Sequence, residues 1–280
     1  MKNDRRAFLI AAGALCAGAL LPAHAAAQLE VQQAGTLRVA VYADYPPFSA
    51  HGKGVDVALA QALAERLGLR AEIVEFPPDE NMGDDLRNMV WKGHYLGHRT
   101  ADVMLHVPVD AQFAAQNDKV AIFGPYHLET MAIARNPERV PPVSGSAAVA
   151  FEAFTREKIG VELDTHASDF MLHVLNGRLR ENVVHFRSVD EAAAAMVKGE
   201  VSAVMAPRSQ LEAALKDHKQ FELNTLDMPE MRVKGWPLGM AVKAGSKELA
   251  SALSGALADL QRSGEVDRIF TAYGITHHVP

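Results

Sequence analysis

Cysteine is nearly absent from this chain: its 280 residues include only Cys16. That residue lies in an uncharged run, 7–21, which follows a short basic start and ends in proline and small residues. This pattern predicts a signal peptide over 1–27, with a small-residue cleavage site at 23–25 or 25–27. The mature chain then has no cysteine, which excludes disulfides and thiol chemistry.

Long hydrophobic runs are also lacking. The apolar part of the signal is too short for a comfortable membrane span. Bulky Leu15 precedes Cys16 where a lipoprotein signal needs a small residue, so we expect no lipid anchor. The stretch DRRAFL, 4–9, resembles a twin-arginine signal, which leaves two export routes open: secretion after folding, or ordinary secretion.

Positive charge is in the minority. Without the signal the chain has 25 basic and 33 acidic residues, so the net charge moves from −6 to −8. Nucleic acid is therefore not an expected partner. About 250 mature residues are enough for one large α/β domain or two lobes.

The most informative segment that is present is 37–68, which has the order strand, exposed loop, helix. Pro46 and Pro47 cannot continue a central strand, so the loop lies beyond the strand's carboxyl end, where open α/β sheets bind ligands. Asp44 could contact a cation or hydrogen-bond its own loop. The candidate ligand residues of this loop are Tyr42, Asp44, Tyr45 and Phe48.

Strands and helices alternate along the rest of the chain, which predicts a mostly parallel sheet. Expected strands are 37–41, 70–76, 101–107, 129–134, 158–163, 183–186, 201–205, 222–226 and 238–242. Expected helices are 55–67, 86–91, 168–175, 189–198, 208–216, 247–263 and 265–273. The stretch 122–126 is interpreted as a loop, and proline-rich 135–146 as a linker between lobes.

Five stretches carry a resemblance to bacterial periplasmic solute-binding proteins of family 3, best known for polar amino acids. They are LRVAVYADYPPFS (37–49), GVDVALAQALAERLG (54–68), FGPY (123–126), SVDEAAAAMVKGEVSAVMA (188–206) and GMAVKAGSKELASALSGALADLQRSGEVDRIFTAYG (239–274). The resemblance implies the type II periplasmic-binding fold, an α/β fold of two Rossmann-like lobes joined by a hinge. The implied bounds are 36–134 and 237–276 for lobe 1 and 135–236 for lobe 2, with hinge crossings near 130–136 and 236–240.

The resemblance implies a monomeric, non-catalytic periplasmic protein without a cofactor. It would close on a small-molecule ligand and deliver it to an ABC permease. Its two lobes would contact the ligand together only in the closed state, so the ligand would shift the population towards closure.

Both anchors for an amino acid are missing, however. Members that bind amino acids hold the carboxylate with an arginine after the third strand, but 103–113 contains none. They hold the amine with an aspartate at the end of the strand where this chain has Ala206 and Pro207, and Ser202 replaces another frequent aspartate. Because an unpaired buried charge is costly, we do not expect an ordinary amino acid as ligand.

The stretch 81–110 resembles the divergent branch of this family that is associated with periplasmic quinoprotein (PQQ) alcohol dehydrogenases. It leads to an alternative prediction: an accessory protein that uses the fold as a scaffold to dock on the dehydrogenase or its cytochrome. An enzyme on this fold, such as a dehydratase, is not supported, because the sequence contains no nucleophile–base set, P-loop or metal motif.

Further candidate ligand residues follow from strand ends. Trp91 could line the first-lobe wall or lie in the core, and 164–166 could bind an anion or cap a helix. The remaining candidates are His106, Val107 and Asp110 after the third strand, Asp164, Thr165 and His166 in the second lobe, and Pro207.

No metal site is predicted. The histidines and methionines of 82–106 offer suitable ligands, but their spacing matches no compact motif. They are His94, His98, His106, Met82, Met89 and Met104. The acidic stretch 79–85 lacks the full calcium-loop pattern, so helix capping is the favoured interpretation.

Overall fold

The computed structural model describes residues 29–95, 97 and 99–280. The predicted signal peptide, with its cleavage sites and twin-arginine stretch, lies outside these residues, as does His98. The strands are β1 (Thr36–Tyr42), β2 (Arg70–Phe76), β3 (Val103–Pro108), β4 (Val120–Arg135), β5 (Ile159–Glu162), β6 (Val183–Phe186), β7 (Ala203–Pro207), β8 (Glu222–Thr225) and β9 (Gly235–Lys243).

The helices alternate with these strands, as the sequence predicts. They are α1 (Val55–Arg66), α2 (Met82–Leu86), α3 (Ala111–Gln116), α4 (Ala147–Ala150), α5 (His166–His173), α6 (Val189–Val197), α7 (Arg208–Ala214), α8 (Lys247–Arg262) and α9 (Glu265–Ala272). A π-helical turn, Arg87–Trp91, continues α2. Among the described residues, no helix is both long and apolar enough to cross a membrane.

The strands form two sheet regions with mixed pairing. In the first the order is β2-β1-β3-β9-β4, with β1 parallel to both neighbours and β9 antiparallel to β3 and β4. In the second, β4 pairs antiparallel with β7 and β8, and β7, β5 and β6 are parallel. The predicted α/β class is therefore confirmed. The expectation of a mostly parallel sheet is wrong, because β4 and β9 run antiparallel to each other and to their other neighbours.

Strand β4 belongs to both regions. Its residues 120–130 pair with β9, and Met131–Arg135 pair with β7 and β8. The interpretation of 122–126 as a loop is wrong, because β4 continues through Gly124 and Pro125 with a shift of register between Phe123 and His127. Such an irregularity lets a strand tolerate residues that would otherwise end it.

The change of sheet lies at Thr130–Met131, a few residues before the expected bound of lobe 1. The proline-rich stretch after β4 belongs to the second region, where Val140 and Val143 lie in the core. The chain returns to the first region at β9, which begins at Gly235 and pairs with β4 from its first residue. The domain bounds stay predictions.

Each sheet region has its own core on both faces. Along β1, Val39 and Val41 pack with α1, α8 and α9, while Ala40 and Tyr42 pack on the other face with the α2 segment. This alternation follows from the period of two in a strand. The second region likewise has one core on the α5 face and another on the α6 and α7 face. Because each sheet region has its own core residues, the packing agrees with a two-lobe architecture.

Candidate functional site

A cleft lies where strand ends of the two sheet regions meet. It consists of two adjoining pockets of about 460 and 660 Å³ that share Tyr45, Glu162 and Trp236. The smaller is also lined by Met131, Leu163, Asp164, Thr165, His166, Ala167, Asp169, Pro207 and Gln210. The larger is also lined by Tyr42, Ala43, Asp44, Pro77, Pro78, Met82, His106, Pro108 and Leu238. No lysine or arginine of the described chain lines either pocket.

The loop after β1 forms part of the first-sheet wall. It turns back on itself through backbone bonds from Tyr45 N–H to Ser49 and from Asp56 N–H to Phe48. Gly54 makes this return possible, because its φ is +132° and a Cβ there would lie 2.1 Å from the Phe48 carbonyl oxygen. The loop is thereby fixed against the beginning of α1, and Tyr45 reaches both pockets.

A buried triad supports this wall. The Asp56 carboxylate is 0% exposed; it accepts a hydrogen bond from the Tyr126 hydroxyl (2.7 Å) and lies 3.0 Å from Nδ1 of His106. The Tyr126 hydroxyl also accepts from the His106 N–H at 3.1 Å. Burial, and then the Asp56 charge, raise the pKa of Tyr126. His106 has a positive φ of 63° at an irregularity of β3, and the triad holds its ring at the wall of the larger pocket.

Aromatic rings hold His106 from the other sides. The Phe48 and Tyr45 rings contact it edge-on at 4.4 and 5.1 Å between centroids. Phe48 was predicted to contact ligand, but it is 1% exposed and packs in the first core. Its place is behind the imidazole rather than at the surface of the cleft. Tyr42 donates to the Asp85 carboxylate at 2.7 Å and still lines the larger pocket.

The second-sheet wall is the short loop between β5 and α5. Thr165 caps α5 by accepting from Ser168 N–H at 3.3 Å, and its hydroxyl donates to the Glu162 carbonyl at 2.7 Å. Asp164 has a positive φ of 59° and is exposed. Burial, and then the charge of Asp190, raise the pKa of Glu162. The predicted Asp164, Thr165 and His166 thus lie at the cleft, with the capping role also present.

The floor of the cleft is formed where β4 and β9 pair. Trp236 lies directly opposite Glu129, so the two side chains share one face of the sheet. Glu129 is 2% exposed, and its Oε1 accepts from the N–H groups of Thr130 (3.0 Å) and Ser209 (3.3 Å). Glu129 itself lines neither pocket. Gln210 lines the smaller pocket, and its Oε1 has no hydrogen-bond partner within the described residues. Burial raises the pKa of Glu129.

Besides Phe48, three predicted site residues lie elsewhere. Trp91 is at the end of the π-helical turn and faces a separate pocket with Glu30 and Lys243. Val107 is 0% exposed and packs in the core, because the β3 irregularity turns His106 rather than its neighbour to the cleft. Asp110 caps α3, accepting from Phe113 N–H at 2.7 Å, and lines neither cleft pocket.

Several residues of the site were not predicted. Asp56 interrupts an apolar stretch in the first turn of α1, which is a signal for a buried partnered carboxylate. Glu162 is the last residue of β5, one residue before the end of the predicted strand 158–163, and could have been found by the strand-end rule that found Asp164. Gln210 carries no such signal, since only the packing of α7 brings it to the floor.

The residues considered for a metal do not gather at one place. Within the part of the chain that the structure describes, no three histidine, cysteine or acidic side chains lie close enough to hold an ion. Met104 is in the core, Sδ of Met82 lies 3.2 Å from the Tyr42 hydroxyl, and the His94 ring packs on Tyr95. In the acidic stretch, Asn81 caps α2 and Asp85 accepts from Asp79 N–H, which agrees with capping.

No family model matches the chain, and no curated protein matches it. Solved structures are similar to it in fold. An ancestral cationic amino acid solute binding protein, AncCDT-1, has a TM-score of 0.64 and 24% identity, over 86% of this chain and 96% of that chain. Another structure of AncCDT-1 is described as a precursor of cyclohexadienyl dehydratase (TM-score 0.57, 23% identity, 86% and 95% covered).

The second substrate binding domain of Lactococcus lactis GlnP, in an open conformation, has a TM-score of 0.59 and 21% identity, over 88% of this chain and 97% of that chain. The GluR0 ligand binding core with L-glutamate has a TM-score of 0.59 and 19% identity, over 85% of this chain and 98% of that chain. These similarities define the class: a type II periplasmic-binding fold, as the sequence resemblance implied. At these identities they establish the fold and not the ligand.

Proposed function

We propose that this protein is a non-catalytic periplasmic solute-binding protein that captures a small solute between its two lobes. The observation that carries the proposal is the cleft itself. Both sheet regions direct polar side chains into it from strand ends, with Tyr45 and His106 on one side and Glu162 on the other. Ligands of open α/β sheets bind at such ends.

The solute is not an ordinary amino acid. An α-carboxylate in this cleft would find no lysine or arginine to pair with, and burying it unpaired costs several kcal/mol. Near the carboxyl end of β3, His106 is held by Asp56. The end of β7 has Pro207 at the smaller pocket. This supports an atypical ligand site within a common fold.

The rest of the proposal follows from the class. The protein acts as a monomer, alternates between open and closed arrangements, and presents the loaded closed form to an ABC permease. Closure is favoured by contacts that the ligand makes with both walls at once. Delivery needs no covalent step.

Native mass spectrometry of freshly purified protein tests the proposal, followed by melting curves with amino acids, small acids, alcohols, amines and quinones. A retained small molecule, or a compound that adds about 2.7 kcal/mol of stability at one hundred times its Kd, is the expected result. If no compound is retained or stabilises the protein while a periplasmic dehydrogenase co-purifies with it, the transport function is contradicted and the accessory role is favoured.

A further inference from the structure

We propose that the ligand of this cleft is a small protonated amine without a carboxylate, bound through its N–H groups by Glu162, His106 and Gln210. This inference rests on the solute-binding function proposed above and names the class of solute.

In its neutral form, His106 presents an acceptor to the cleft. The Asp56 carboxylate 3.0 Å from its Nδ1 can only accept, so in the neutral imidazole the hydrogen is on Nδ1 and Nε2 keeps its lone pair. Within the described residues Nε2 has no hydrogen-bond partner, and His106 lines the larger pocket. Asp56 thereby fixes which tautomer faces the ligand.

Carboxylates line the cleft without cationic counterparts. Asp44 lies on the first-sheet side, and Glu162, Asp164 and Asp169 lie on the second-sheet side. None of these four makes a salt bridge within the described chain. Arg232 lines neither pocket of the cleft, but it lines a third pocket that shares Met131, His166 and Asp169 with the smaller one. The part of the cleft around Asp44, Glu162 and Asp164 favours positive charge, because like charges converge there.

The floor supplies an independent observation. Gln210 is 7% exposed and lines the smaller pocket, yet its Oε1 has no hydrogen-bond partner within the described residues. Buried acceptors without a donor are rare because each costs free energy. The missing group is a donor, and an ammonium has up to three N–H groups with which to supply it.

The aromatic residues of the cleft also suit a cation. Tyr45 and Trp236 line both pockets, one on the first-sheet wall and one on the floor. Aromatic faces attract cations, and more strongly where water is excluded. A metal ion is less suitable, since no three ionisable ligands converge within the described residues.

One candidate position for a carboxylate on the ligand is the beginning of α5. There Thr165 already accepts from the Ser168 N–H, and Asp164 and Asp169 flank the helix start. Their negative charges oppose a second carboxylate. This separates the proposed ligands from amino acids, which carry both charges.

The test is a matched series on the purified mature protein: 1,4-diaminobutane and butylamine, against 1-butanol, butyrate, tetramethylammonium, glutamine and arginine. We expect the two amines to raise the melting temperature and the others to have much smaller effects. Tetramethylammonium is cationic without N–H groups, so it separates charge from hydrogen bonding. Titration calorimetry then gives the Kd of each amine.

The variant Glu162→Gln keeps the shape of the wall and removes its charge. We expect it to weaken amine binding about tenfold or more. Glu138→Gln, an exposed carboxylate of the second region outside the cleft, is the matched control and should bind as the unchanged protein does.

If glutamine, arginine or butyrate stabilise the protein and the amines do not, the ligand class is overturned while the solute-binding function stands. If Glu162→Gln binds amines with unchanged Kd, the proposed mode of binding is overturned. If no compound of the series or of the wider panel stabilises the protein and none is retained in native mass spectrometry, the solute-binding function fails together with this inference.

Discussion

The two walls of the cleft are built in different ways. The first-sheet wall is held by long-range contacts, since Asp56 of α1, His106 of β3 and Tyr126 of β4 are hydrogen-bonded to one another in the buried interior. The second-sheet wall is a loop whose bonds are local, such as those of Thr165 to Glu162 and Ser168. We infer that the first-sheet wall is part of the folding core, whereas the second-sheet wall can change with little effect on stability.

The largest loss of stability is expected from a substitution in the first-sheet wall. Asp56→Ala removes the acceptor that satisfies both the Tyr126 hydroxyl and the His106 ring, and it leaves a void in the core. We expect a loss of about 3–5 kcal/mol in the free energy of unfolding, measured by urea denaturation. Asp164→Asn on the exposed loop is the control and should stay within about 0.5 kcal/mol. Equal losses in the two variants would remove the contrast between the walls.

A second prediction concerns the contact between His127 of the first sheet region and Ser209 of α7. His127 of β4 lies 3.1 Å from the Ser209 hydroxyl of α7, and its Nδ1 accepts from His278 N–H. Burial, and then the charges of His277, His278 and His106, lower the pKa of His127 to about 3.

The folded protein therefore keeps His127 neutral, whereas the unfolded chain protonates it near pH 6.5. The stabilising contribution is complete above pH 6.5 and is lost as the pH falls towards 3. We expect His127→Gln to remove a pH-dependent term on the order of a few kcal/mol. Parallel unfolding curves of the two proteins from pH 7 to pH 4 would contradict this.

A smaller effect is expected from Tyr126→Phe. The substitution keeps the ring in the core and removes the hydroxyl that donates to Asp56 at 2.7 Å and accepts from His106 N–H. The free energy of unfolding should fall by about 1–3 kcal/mol. Tyr273→Phe, where the described structure gives the hydroxyl no hydrogen bond, is the matched control. A loss in the control as large as in Tyr126→Phe would show that the triad contributes nothing specific.

The smallest effect is expected on the second wall. Thr165→Ala removes the cap of α5 and its bond to the Glu162 carbonyl, so we expect a loss of about 1 kcal/mol. Thr165→Ser keeps the hydroxyl and should recover most of it. A loss from Thr165→Ala as large as that from Asp56→Ala would mean that this loop is also part of the folding core.

The sequence predicted the α/β elements well because strand and helix periodicity are local properties. It found Tyr45, Asp164 and Thr165 because strand ends are visible in sequence. It missed the course of β4 through Gly124 and Pro125, since an irregular strand is stabilised by its partner β9 and not by its own residues. It assigned Val107 to the cleft because the β3 irregularity that turns His106 depends on pairing with β9. The link to a quinoprotein dehydrogenase, the export route and the domain bounds stay predictions.

Continuous β4 also has a mechanical consequence. The chain passes between the sheet regions twice, through β4 and through the segment before β9, and these two paths are hydrogen-bonded as neighbours at Glu129–Trp236 and Thr130–Gly235. We expect two hydrogen-bonded connections to bend less easily than two separate ones, and their twist to determine the preferred angle between the sheet regions. A substitution that alters the twist, such as one at Gly235, where a Cβ would lie 2.5 Å from the Glu129 carbonyl oxygen, would change the resting gap between the walls. Such a substitution would change the affinity for the solute through the distance between the walls, without changing any group that contacts the solute.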